Sequence, residues 1–481
     1  MRRLLAALGA AAAWSTVALA PAPPEAAPQR RILRRHYTPA DRDTGRYQYV
    51  PVTIAEGTTR ITIAYLYDKA NGANAVDLGL FEPGPLALGT RAFRGWSGGS
   101  RDQALVAVDE ATPGYWPGAL PAGEWHVALG LYKVAPAGVD VELQVETSRS
   151  KPGPTPALAP RPDEPRRRGE AWYAGDLHVH TLHSDGSVSA AAAARAAREA
   201  GLDFIAITDH NNTTHQLETS DAPGLLVITG EEVTTPGGHA NVWGLGGWRR
   251  EIDFRILPGP GAIQPLVDAA RARGTIFSIN HPVLECGGCA WEHDIPAGIE
   301  SVEIWNGPVA PQHGAVELWD RLLGQGRRLT GVGSSDWHRA PAPLGRASVR
   351  VRAEELSTQA ILAAIRAGRI VVMGDARTPP PILTARAGNA TAGVGDTLRV
   401  RADEVLGVEV VAADPAFAKS RVTLVGDGRP AGEAPLSPGA PARFARVGAT
   451  RYVRAEIRAA DGALLALTNP VYVLAENRVS P

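Results

Sequence analysis

Cysteine is nearly absent from this 481-residue chain, which holds only Cys286 and Cys289. No second pair completes a tetrahedral thiolate site, which argues against a zinc knuckle. The surrounding sequence has no thioredoxin-like context for a redox role. In an exported protein the pair reads as a disulfide that clips a loop. A charge excess is missing too. Lys and Arg number 49 against 50 Asp and Glu, a net charge of −1 at pH 7. Nothing in that balance favours nucleic acid or a membrane surface as a partner. There is no P-loop and no dinucleotide fingerprint, so no nucleotide cofactor is indicated.

Long apolar runs are confined to the N-terminus. Arg2 and Arg3 precede the mostly apolar stretch Leu4 to Leu19, which ends in Ala18-Leu19-Ala20. That order reads as a secretory signal over residues 1–27. Pro21 follows Ala20 directly, so the cut is placed nearer Ala27. An uncleaved anchor is the alternative. Export implies a periplasmic or extracellular protein with no membrane span after signal removal.

The rest has ordinary globular proportions, with 44% hydrophobic and 21% charged residues. Its length allows two or three domains. Residues 33–147 read as all-β. Ile61 to Tyr67, Trp125 to Leu131 and Val139 to Val145 alternate at period two between Gly and Pro turns. A β-sandwich is expected there. Residues 148–170, rich in proline and carrying Arg166-Arg167-Arg168, read as a solvated linker.

From 171 to 377 short apolar runs alternate with helical stretches. Strands are expected at 177–179, 204–207, 225–228, 240–244, 276–279, 302–305, 329–333 and 370–373. Helices are expected at 190–200, 265–273, 315–323 and 358–367. Ser189 caps the first and Gly201 stops it. This argues for a parallel sheet or barrel with functional residues at strand C-terminal ends. Residues 378–481 turn all-β again, with strands expected at 408–411, 422–425, 452–457 and 470–473.

Ten of the twelve histidines lie between His178 and His338. Most directly follow an apolar strand. His178 and His180 end the first, Asp209 and His210 the second. Glu231 and Glu232 follow the third, His281 follows Ile276 to Asn280, and Asp336 and His338 follow Thr330 to Ser335. The H-x-H and D-x-H spacings put two donors on one face of a strand. Imidazoles gathered at one mouth suit Zn, Fe, Mn and Ni, and carboxylates beside them can bridge two cations and offset their repulsion.

The motifs resemble a known family. His178-Val179-His180-Thr181 with Ser184-Asp185-Gly186, then Thr208-Asp209-His210-Asn211, Asn280-His281-Pro282 and Gly333 to His338 are similar, in order, to the motifs of PHP-domain metallohydrolases. Gly230 to Thr235 and Gly238 to Val242 resemble the carbaryl-hydrolase branch. The resemblance implies a distorted (β/α)7 barrel with two or three divalent ions, Zn, Mn or Fe, here set between the two β-sandwiches read from the flanking sequence. It implies metal ligands at His178, His180, Asp185, His210, Glu232, His239, His281, Asp336 and His338. Glu232 would bridge two ions, with Glu231 as the competing assignment. His239 has a supporting or substrate-facing role as its alternative. Asp209 would brace a ligand from behind. His183 reads either as pocket lining or as a loop residue. His215, His293 and His313 read as structural or exposed.

Asp185 and His210 would serve catalysis as well as metal binding. Arg339 and Arg346, just past the last motif, would clamp an anionic substrate. Hydroxide generated from water at the cations would be the nucleophile. Ser334 and Ser335 beside His338 suggest a triad, but they read better as hydrogen-bonding in the turn around Asp336. The expected function is a secreted hydrolase acting on a small-molecule phosphoester. A carbamate or carboxylic ester hydrolase is the alternative, because Trp291, Trp305 and Trp337 lie near the motifs. A non-catalytic protein binding envelope or polysaccharide is the third reading, against which every motif position is filled.

Overall fold

The computed structural model describes residues 28–158, 164–218, 222–286, 288–307, 313–401, 404–447 and 450–476. The expected signal segment and part of the Pro-rich stretch lie outside these residues. The fold is mixed, with much β-strand and few helices. Among the described residues no helix is long and apolar enough to cross a membrane.

The N-terminal strands form two antiparallel four-stranded sheets. One runs Gln29–Tyr37, Val139–Ser148, Arg60–Tyr67, Gln103–Ala107; the other runs Tyr47–Ile54, Gly123–Lys133, Ala75–Phe81, Phe93–Gly98. Alternation does the work here. Ile61, Ile63 and Tyr65 turn inward from one sheet to meet Val50, Val52, Leu78 and Leu129 from the other. The second sheet also packs outward. Phe81, Phe93 and Trp96 join one apolar core with Phe254, Trp243 and the central strands.

The central strands form a continuous path. Arg168–Val179, Phe204–Ile207 and Leu226–Thr235 pair in parallel. Gly238–Trp243 then runs antiparallel to both Leu226–Thr235 and Ile276–Ile279. Ile276–Ile279, Ser301–Asn306 and Thr330–Ser334 are parallel again. A parallel bridge from Val179 to Trp337 brings the last of these back to the first. The sheet is therefore mixed rather than wholly parallel. The reversed strand still serves the same mouth, because His239 stands near its start.

Two departures from the sequence reading matter. Arg168–Val179 begins inside the expected linker, because residues 168–175 pair with Ser348–Glu355, a strand not foreseen. The C-terminal strands are continuous with the central sheet, since Ile370–Met373 pairs with Leu464–Thr468. The best-foreseen helix, Ala190–Ala200, has Ser189 Oγ accepting from Ala192 N–H and Gly201 in the left-handed region at φ 89°. Its buried alanines pack on Val179, Ile205 and Ile207, which fixes the strand ends that carry His180 and His210.

Candidate metal centre

Strand alternation decides which neighbours meet. Val179 turns into the apolar layer under Ala190–Ala200, so His178 and His180 turn together to the opposite face. Both imidazoles are fully buried. Glu231 and Glu232 are adjacent and point oppositely. Glu231 Oε2 accepts from Ile252 N–H at 2.8 Å, away from the histidines. Burial and nearby Glu251 push its carboxyl well above the usual range.

Glu232 sits at the centre of five imidazoles. Its Oε1 is 3.2 Å from His178 Nε2 and 3.3 Å from both His239 Nδ1 and His281 Nε2. Its Oε2 is 2.9 Å from His210 Nδ1 and 3.4 Å from His180 Nε2. Asp336 Oδ1 lies 3.1 Å from His180 Nε2 and 3.3 Å from His178 Nε2. Asp185 Oδ1 approaches His338 Nε2 at 3.2 Å and His210 Nε2 at 3.7 Å. All nine residues named from the sequence as ligands thus stand around one point.

They divide into overlapping donor groups. His180, Asp185, His210 and His338 make one; His178, Glu232 and His281 a second; His178, His180 and Asp336 a third; His210, Glu232 and His239 a fourth. Donor atoms within each group lie within 4.8 Å of one another. Shared members are what adjacent cations need.

Three observations fit divalent ions to this set. His178 Nε2 and His180 Nε2 are buried without a hydrogen-bond partner, while both face carboxylate oxygens. A buried nitrogen left so is costly unless something else satisfies it. Burial works against ionising Glu232, yet His178, His210 and His239 outweigh it and hold the carboxyl well below the usual range. Asp336 behaves likewise, burial being overcome by His178 and His180. Finally Asp336 and His281 hold left-handed backbone at φ 51° and 25°, strain of the kind kept at functional sites.

The ligands are braced from behind. Asp209 accepts from Thr181 N–H, Thr181 Oγ1 and Ser184 Oγ at 2.7 Å each, which fixes the loop leading to Asp185. Glu303 was not singled out in the sequence. Its Oε1 lies 3.3 Å from His178 Nδ1 and accepts from Ser334 Oγ at 2.5 Å. Its Oε2 accepts from His281 N–H at 2.8 Å and Asn306 Nδ2 at 3.0 Å. A lone acid within the apolar run Ser301 to Trp305 was the available signal. Asp176 accepts from Ser335 Oγ at 2.5 Å and from Gly345 N–H at 3.0 Å. Both serines are thus engaged away from His338, and no triad is assembled.

Other expectations moved. Arg339 and Arg346 are exposed and line no part of the pocket. His183 is held by Thr214 Oγ1 at 2.8 Å and Glu218 Oε1 at 3.0 Å, and does not line the pocket. His215 is buried 3.4 Å from Asp209, and His293 meets Thr235 Oγ1 at 2.8 Å. The side chain of His313 lies outside the described residues. Trp337 and Trp305 are buried in the fold and Trp291 packs on His293, none of them facing the pocket. Cys286 and Cys289 are joined, with Cα atoms 5.4 Å apart.

A pocket of about 230 Å3 opens over the centre. Asp185, His210 and His239 form its floor, and Tyr47, Trp96 and Phe254 are among its walls. Tyr47 meets Phe254 edge-on at 5.9 Å, and Trp96 lies 4.8 Å from Phe254. Arg46 and Asp77 also face the cavity. Burial pushes Asp77 up to about 7, against the pull of Arg46 and His210.

Residues 176–240 match the family model described as PHP domain. Comparison with curated proteins gave no match. Among solved structures, one similar chain is a two-domain protein containing a predicted PHP-like metal-dependent phosphoesterase from Bacteroides vulgatus. It is 17% identical, with 65% of this chain and 100% of that one covered, at a TM-score of 0.36. Another is an amidohydrolase from Chromobacterium violaceum with bound sulfate. It is 15% identical, with 36% of this chain and 89% of that one covered, at a TM-score of 0.27. The PHP-domain match, on a segment holding six of the nine clustered donors, makes this chain a metal-dependent hydrolase.

Proposed function

We propose that the chain hydrolyses a small-molecule phosphoester. The observation that carries the reading is Glu232 ringed by five imidazoles, two of which keep buried nitrogens without a hydrogen-bond partner. His178, His180, Asp185, His210, Glu232, His239, His281, Asp336 and His338 would hold two or three divalent ions, Zn, Mn or Fe, with Glu232 shared between two of them. Such ions supply an acidified water and neutralise charge growing on the scissile group. Two divalent ions already exceed the charge of the three carboxylates Asp185, Glu232 and Asp336. The site then favours a substrate whose reacting group is anionic. His210 and Asp185, half-exposed at the floor, orient that group. Glu303 holds the His178 ring with Nε2 turned inward.

The architecture we read around this site is a distorted (β/α)7 barrel over residues 171–377. It lies between β-sandwiches at 33–147 and 378–481, behind a signal segment at 1–27. With such a segment the enzyme would be periplasmic or extracellular. A carbamate or carboxylic ester is the second reading, because the walls are aromatic and only Arg46 among them is basic. It would place the chain in the carbaryl-hydrolase branch.

Protein loaded with Mn, Zn or Fe is to be assayed on bis-p-nitrophenyl phosphate, p-nitrophenyl phosphate and 1-naphthyl methylcarbamate. Release of p-nitrophenol from either phosphate ester that His178→Ala abolishes supports the proposal. Activity on the carbamate alone transfers it to the second reading. Metal analysis below one equivalent per chain removes both.

A further inference from the structure

The metal floor is built by the central strands, but most of the cavity above it is not. Arg46, Tyr47, Asp77, Trp96 and Tyr132 come from the N-terminal sheets, within a stretch of sequence that precedes every metal motif. The two parts are not merely adjacent. Trp96 is 3% exposed and shares an apolar core with Phe254, and Trp116 Nε1–H donates to buried Glu251 at 2.9 Å. Gly114 N–H donates to Thr214 Oγ1 at 3.0 Å.

The N-terminal wall is cut to shape by glycine. A Cβ at Gly79 would run into the Trp96 ring. A Cβ at Gly130 would stand 3.0 Å from Asp77 and 3.2 Å from Trp96. Strand interiors normally disfavour glycine, and its presence marks close approach of another group. These positions let one indole lie flat across the sheet beside one carboxylate. Asp77 forms no hydrogen bond and no ion pair within 4 Å among the described residues. Arg46 is near enough to be felt electrostatically but does not engage it. An aromatic slot with one unengaged acceptor is a recognition device, since apolar walls supply area and a placed polar group fixes orientation.

We propose that the N-terminal β unit is the substrate-recognition half of the active site. It takes the organic part of the ester as an aromatic group against the exposed part of Tyr47, over the buried Trp96 and Phe254 rings that hold Tyr47 in place, with a hydroxyl or N–H of that group donating to Asp77. This rests on the hydrolase reading for what happens at the ester bond, but not for binding. Specificity is thereby divided: the central strands act on the bond, and the β unit selects what is attached to it. A site built to accept a hydrogen bond discriminates strongly against analogues lacking the donor, because its own group is then left unpaired.

The test separates the two claims. Benzyl alcohol, the uncharged amine aniline and benzyl methyl ether are titrated calorimetrically into the full chain after metal removal, about two pH units above the Asp77 value so that its carboxylate only accepts. The alcohol and the amine should bind about tenfold tighter than the ether, the effect of roughly one hydrogen bond. Asp77→Ala should bring all three to similar affinity, and Tyr47→Ala should weaken all three together. Equal binding of the three ligands to the wild type overturns the proposal, and so does a preference that survives in Asp77→Ala. If Asp77→Ala does not fold, the wild-type series alone decides. Selective binding without any hydrolysis by the loaded enzyme would count against the hydrolase reading and leave this one standing.

Discussion

Replacing Glu303 with glutamine tests the argument at a residue outside the nine clustered donors. The carboxylate has two oxygens with separate duties. Oε1 faces His178 Nδ1 at 3.3 Å and Ser334 Oγ at 2.5 Å. Oε2 faces His281 N–H at 2.8 Å and Asn306 Nδ2 at 3.0 Å. A glutamine keeps the shape but must turn its amide one way or the other. If the NH2 replaces Oε2, it meets two donors that have no lone pair to give. If it replaces Oε1, Ser334 can rotate to accept, but His178 loses the acceptor that keeps its proton on Nδ1. Nε2 is then no longer fixed as the lone pair turned toward Glu232 and Asp336. Leaving one buried donor unmatched costs about 1–3 kcal/mol. Loss of such an outer partner typically lowers metal affinity or activity by roughly 10–100-fold. The expectation for Glu303→Gln is a folded chain with metal affinity reduced about tenfold or more, in competition with a chelator of known affinity. A parallel fall in kcat should appear at limiting metal and recover in part at excess metal. Wild-type affinity and kcat in Glu303→Gln would refute the role assigned to Glu303.

Three further outcomes follow from other parts of the structure. Stripping metal with a chelator should lower the thermal midpoint, since ions at about 100 times Kd contribute about 3 kcal/mol to the folded state; an unchanged midpoint would show that the donor groups bind nothing. Burial, and then Glu251, raise the Glu231 carboxyl well above its ordinary range, so its folded pKa lies above its unfolded one. Its contribution to stability is intact below the ordinary carboxylate range and lost as pH rises toward the folded value, by at most about 1.4 kcal/mol per pH unit. Glu231→Gln should therefore flatten the decline of urea midpoint above pH 5, and a decline as steep as in the wild type contradicts this. Arg339→Ala should keep kcat/KM within about twofold, because Arg339 is exposed and lines no part of the pocket; a hundredfold loss would restore the clamp expected from the sequence.

Much of the candidate metal centre was legible in sequence because its geometry is local. The distance from His178 to His180, or from Asp336 to His338, is set by a two-residue step along an extended chain. The apolar runs before them announce where each strand ends. Ser189 and Gly201 bounded a helix to the residue because capping is decided by one side chain and one dihedral. The choice between Glu231 and Glu232 needed only one further fact, which side of the strand faces inward. Glu303 was harder, since its duty depends on two strands, Ile276–Ile279 and Thr330–Ser334, lying on either side of its own.

The N-terminal wall shows where local reading stops. Nothing in Phe93 to Gly98 marks Trp96 as anything but a sheet aromatic, and the period-two pattern assigned its stretch to a separate β unit. That assignment treated a sheet as having one buried face. Here the Tyr47–Ile54 sheet is buried on both: Val50, Val52 and Leu78 face its partner sheet, while Phe81, Phe93 and Trp96 face the central strands. Separating a sheet with two buried faces would expose the second apolar face to water. The glycines at 79 and 130 carry the same message. They clear the space that Trp96 and Asp77 occupy on that second face. The pocket therefore depends on a contact between distant segments that no single motif encodes, and removing residues 28–147 should expose the metal floor and with it the Phe254 face of the core.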